Sequence, residues 1–83
     1  MKAEAAETVA LQALGWLAGQ DDLFGQFLGA TGATAASVAE AAGRPEFLAA
    51  LLDFVLMDDA WVVAFCDAAG IGYGLPMQAL TAL

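Results

Sequence analysis

PEFLAALLDFVLMDDAWVVAFCDAAG, Pro45 to Gly70, is the stretch that decides the fold. Proline suits the first turn of a helix, and Glu46 beside it meets the positive end of the helix dipole. Phe47, Leu48, Leu51, Leu52, Phe54, Val55 and Leu56 then cover most of the cylinder. Only Glu46, Ala50, Asp53 and Met57 leave a narrow strip for water. A helix that is apolar almost all round belongs at the centre of a fold. Asp58 and Asp59 break the run and cap a second helix, whose stripe is Trp61, Val62, Phe65 and Cys66. Gly70 ends that helix, with Ile71 set to make the apolar contact that follows such a cap.

Upstream, alanine and leucine favour a helix over Ala3–Ala18, with Glu4 and Glu7 in its opening turns. Val9, Ala13 and Trp16 form one apolar row, and Ala10, Leu14 and Leu17 another. The remaining face is Thr8, Gln12, Gly15 and Gly19. It is either wet or, at Gly15, a place for a second helix to come close. Asp21 is the expected N-cap of a second helix with the stripe Leu23, Phe24, Phe27 and Leu28, ended by Gly32. Thr34 caps a short third helix that ends at Gly43 and has Val38 as its only larger anchor. Downstream, the glycines of Gly70–Gly74 make a turn, and Pro76 opens a last short helix carrying Met77 and Leu80.

A shift of 38 residues (59 − 21) lays Asp21 on Asp59, Phe27 on Phe65 and Gly32 on Gly70. It also lays the stripe of the second helix on that of the fifth, and the thin face of the first on the strip Glu46, Ala50, Asp53 and Met57. The expected architecture is therefore all-α: about six helices, as two similar three-helix halves packed into one bundle. The repeat would run over residues 7–43 and 45–81, and a pseudo-two-fold arrangement is the natural packing for it.

Composition narrows the function. The chain has 83 residues, one domain's worth, and is 61% hydrophobic but only 14% charged. That much apolar content exceeds what so small a core can hold, so some is expected at the surface. A net charge of −8, with Lys2 and Arg44 the only cations, opposes binding to nucleic acid or anionic lipid. There is no run of about 20 apolar residues to span a membrane. The N-terminus puts glutamates where a signal peptide needs an apolar stretch, so the cytoplasm is the expected compartment.

Catalytic chemistry has little to work with. Histidine is absent, and Cys66, the only cysteine, lies on an apolar stripe with nothing cationic beside it to form a thiolate. The pairs Asp21–Asp22 and Asp58–Asp59 read as helix caps, because sequence neighbours do not converge on one metal ion. No cofactor or metal site is expected. Most aromatic residues fall at core spacing, but Trp61 stands at a helix start where part of the ring meets water. With Met57 and Met77, it forms the candidate interaction patch, since tryptophan is common at interface centres and methionine adapts to a partner.

The blocks ALQALGWLA (Ala10–Ala18), DLFGQFLGATG (Asp22–Gly32), and Pro45–Asp59 with Phe65–Gly70 together resemble a small family of bacterial helical proteins. That family is found chiefly in alphaproteobacteria and is classed as a domain of unknown function. The Gly32–Thr34 turn and Arg44 before Pro45 depart from its pattern. The resemblance implies the helical fold, no catalytic residues, and a receiver-domain response regulator as a partner by association. The expected function is a non-enzymatic interaction module that pairs with itself as a dimer. The alternative is a carrier of a small apolar ligand between the two halves; an enzyme using scattered carboxylates comes last.

Overall fold

The computed structural model describes residues 1–83 as six helices and no strand: α1 (Ala3–Ala18), α2 (Asp21–Thr31), α3 (Ala35–Ala41), α4 (Pro45–Val55), α5 (Asp59–Ala69) and α6 (Leu75–Ala82). The radius of gyration is 11.5 Å, against about 12 Å for a compact chain of this length. The fold is an all-α bundle.

Chemistry local to each end explains the boundaries. Thr34 and Ser37 exchange hydrogen bonds in a capping box: the Thr34 hydroxyl accepts from the Ser37 N–H at 3.1 Å, and the Ser37 hydroxyl accepts from the Thr34 N–H at 2.8 Å. The Asp58 carboxylate accepts from the Ala60 N–H at 2.8 Å and starts α5. Gly32 and Gly70 both take left-handed conformations, φ 71° and φ 70°, which reverse the chain after α2 and α5. After the second of these, the Ile71 N–H donates to the Cys66 carbonyl at 3.0 Å and Ile71 packs on the core.

Three boundaries differ from the sequence expectation. Asp21 is not the N-cap of α2. Gln20 holds that position, and Asp21 and Asp22 lie inside the first turn, where their charge favours the dipole without a capping bond. α3 stops at Ala41, two residues before Gly43. α6 opens at Leu75, with Pro76 buried behind it.

The core is shared between two helices. α4 is the most deeply buried helix, contributing Leu48, Leu51, Leu52, Phe54 and Val55. The hub, however, is α1, which packs most heavily on α6 and α4 and also touches α2 and α5. Its inner face is Ala6, Val9, Ala10, Ala13 and Leu17, and alanines let neighbouring helices approach closely. α6 wedges against both α1 and α4, whereas α3 has no comparable seat. Only 17 of 83 residues are buried, so much of the chain's apolar surface is covered in part or not at all.

Glycine gives an opposite pair of tests. Gly25 and Gly29 lie inside α2, and a Cβ built on either meets nothing within 4 Å. Gly25→Ala and Gly29→Ala should each stabilise the protein by about 0.5–1 kcal/mol, the cost of glycine in a helix interior. Gly70→Ala, at positive φ, should destabilise it by about 1 kcal/mol. Urea denaturation followed by circular dichroism reads both signs. A loss of stability in the α2 variants would mean those glycines serve a contact this fold does not contain.

Candidate functional site

α1 and α5 meet through Trp16 and Phe65, whose ring centroids lie 5.9 Å apart, tilted by 51°. Phe65 is fully buried and Trp16 half-buried. One turn earlier on α5, the half-buried Trp61 stacks on Phe54 of α4 at 5.1 Å and 20°. Each indole is thus braced by a buried phenylalanine. A cleft of about 480 Å³, open to solvent, is lined by Trp16, Gly19, Asp21, Asp22, Trp61 and Ala64 among others. A second hollow of about 320 Å³ is lined by Gln12, Gly15, Trp16, Phe65, Ala68 and Ala69. Trp16 borders both, so the two hollows adjoin along the α1–α5 seam and are together termed the trough.

The trough is negative at one end. Asp21 and Asp22 place two carboxylates at the N-terminus of α2, where the helix dipole offers only about half a positive charge. The chain's two cations, Lys2 and Arg44, are not among the residues that line it.

Of the residues expected to form a contact patch, Trp61 lines this trough and the others do not. Met57 stands 77% exposed in the turn after α4, and Met77 55% exposed on α6. What joins Trp61 is Trp16, which helical spacing had marked as core. Trp16 and Trp61 lie 45 residues apart (61 − 16), and only the α1–α5 contact brings them together. Gly15 opens onto the second hollow, and a Cβ there meets nothing within 4 Å, so no helix of this chain comes close. Both hollows open at the surface; the space between α1, α4 and α6 is filled by core side chains.

Over residues 3–83 the chain matches the model of a protein family of unknown function, DUF3572. The chain belongs to that family. No curated protein and no solved structure matches it. No helix of this DUF3572 chain is long and apolar enough to cross a membrane.

The other polar constellation in this DUF3572 fold staples the loop after α5. The Cys66 thiol, fully buried, donates to the Gly72 carbonyl at 3.6 Å. The Tyr73 phenol donates to the Asp67 carboxylate at 2.8 Å across the same turn. Burial pushes the Cys66 thiol above its ordinary pKa of 9.0, and the Asp67 charge adds to that. Tyr73 is raised above 10.0, first by the hydrogen bond to Asp67 and then by its charge. A raised thiol is the opposite of an activated nucleophile. Nowhere do three or more carboxylate, thiol or imidazole groups gather as metal ligands.

Both groups hold their protons more tightly folded than unfolded. The stability they contribute is complete below the unfolded pKa and is lost as pH rises through the folded one. The urea midpoint should therefore fall as pH climbs past about 9. Cys66→Ala lowers the midpoint throughout but should flatten the first part of that fall, and Tyr73→Phe the part above about 10. Under native conditions Cys66 should react with a thiol reagent only as fast as the fold opens. Labelling as fast as a free cysteine would show that the thiol is not sealed.

Proposed function

We propose that this DUF3572 protein is a non-enzymatic protein-interaction module that takes a partner in the α1–α5 trough and pairs with itself through a separate apolar surface. The observation that carries the first part is the pair of half-buried indoles, each backed by a phenylalanine, facing an open cleft. Tryptophans in such a setting are the side chains on which binding energy concentrates. Because they are braced before a partner arrives, little side-chain freedom is lost on binding. A receiver-domain response regulator, the partner that the family resemblance implies, is the first protein to offer it.

Self-association is supported by bulky side chains left in water outside the trough, with Met57 and Met77 the most exposed of the interior-type residues beyond the N-terminus together with Tyr73. Flexible methionines re-pack against a second surface at little cost. In sedimentation velocity, the wild type should run at about twice 8.4 kDa, and Met57→Lys/Met77→Lys should run as the monomer. A wild type that remains monomeric at millimolar concentration would rule out self-association. If Trp61→Ala gives monomer and the methionine variant does not, the second copy sits in the trough instead.

A further inference from the structure

We infer that the trough receives a basic amphipathic helix of another protein, with an arginine seated between Trp16 and Trp61 against Asp21 and Asp22. This rests on the reading of the trough as the partner-binding surface. Its shape asks for a segment rather than a small cation. From Trp61 to Ala69 the α5 wall runs eight residues, about 12 Å at 1.5 Å per residue, or two helical turns. Glycine and alanine line the far part at Gly15, Ala68 and Ala69, leaving room for the apolar side of an incoming helix. The near part changes character. There two indoles stand beside two carboxylates, and a guanidinium is the group that satisfies both: it stacks on an aromatic face and pairs with carboxylate in its own plane.

Charge decides against the other occupants. The dipole of α2 cancels only a fraction of the Asp21 and Asp22 charge, and no cation of the chain lines the cleft, so the cleft is left negative. Phosphates of nucleic acid or lipid are repelled. A second copy brings ten acidic residues and only Lys2 and Arg44. A basic segment meets a complementary field, which speeds its encounter and fixes its direction along the seam.

The test uses two synthetic helical peptides with alanine and leucine on one face, one carrying an arginine at the end of that same face and one a glutamine in its place. Each is titrated into the ¹⁵N-labelled full chain and followed by two-dimensional NMR. The chain has only two tryptophans, so both indole N–H signals report directly on the cleft. The arginine peptide should shift both indole signals and the amides of Asp21, Asp22 and Ala64, with an affinity at least tenfold above that of the glutamine peptide. Asp21→Asn/Asp22→Asn should close that gap. Where that variant loses the dispersed spectrum of a folded chain, raising the salt concentration on the wild type replaces it and should weaken the arginine peptide alone. Equal binding of both peptides at the indoles would overturn the basic occupant and leave the trough standing. Shifts confined to Met57 and Met77, or none with either peptide, would remove the trough as well.

Discussion

The Phe27 ring holds the second helix to the rest of the molecule. It is the only buried residue of α2, and it sits edge-on between Phe47 at 5.9 Å and Phe54 at 5.3 Å, both on α4. Burying one phenylalanine is worth about 1.5–3 kcal/mol, and each aromatic pair adds about 0.5–1.5 kcal/mol. Against that, Gly25 and Gly29 each cost α2 about 0.5–1 kcal/mol relative to alanine. The anchor and the weakness are of the same order. α2, which Leu23, Phe24 and Leu28 help to seat, is therefore held by a modest margin, and it carries Asp21 and Asp22, the acidic end of the trough. The chain of aromatic contacts continues outward, Phe27 to Phe54 to Trp61, so the same anchor that docks α2 also sets one wall of the cleft.

The trough follows from how α1 is used. Its alanine face, Ala6, Ala10 and Ala13, is consumed by α4 and α6, which pack close because those side chains are small. Once that face is committed, Gln12, Gly15 and Gly19 are turned to the surface beside α5. No further helix is available to cover them, because α3 is short and anchored chiefly by Val38. An open seam between α1 and α5 is the geometric remainder of a six-helix chain whose third helix is too small to close it.

Much of the fold was legible in the sequence, because helix ends are written in local chemistry. Thr34, Pro45, Asp58, Gly32 and Gly70 each mark a boundary by a bond or a dihedral angle that needs no distant partner. Paired aspartates read differently in the two places: Asp58 caps α5, whereas at α2 the N-cap is Gln20 and Asp21 and Asp22 both enter the first turn. The hub role of α1 was hidden for a different reason. Hydrophobic bulk marks α4 as central, whereas alanine contributes closeness of approach, which a hydropathy pattern undervalues. The site was half legible. Trp61 stood out by its position at a helix start, but pairing it with Trp16 depends on a crossing of α1 and α5 that no local pattern encodes. Met57 and Met77 were recognisable as exposed side chains, yet the trough does not include them.

The acidic charge acts differently on the two surfaces. Met57 ends the strip Glu46, Ala50 and Asp53 on α4, all exposed, so a second copy meeting it brings carboxylate toward carboxylate. Such a contact is held by apolar area and opposed by charge, and added salt strengthens it by screening the repulsion. Met77 lies on α6, which carries no charged residue, so that half of the proposed self-contact would be indifferent to salt. The trough has the reverse sign: two carboxylates beside two indoles attract a cation, and salt weakens the attraction. With ten acidic residues against two basic ones, a second copy at the trough would meet like charge, whereas the basic partner proposed for it would meet opposite charge. Ionic strength would thus separate the two proposed contacts by direction. The two proposed contacts draw on different parts of the surface that so small a core leaves uncovered, Met57 and Met77 for one and the trough for the other.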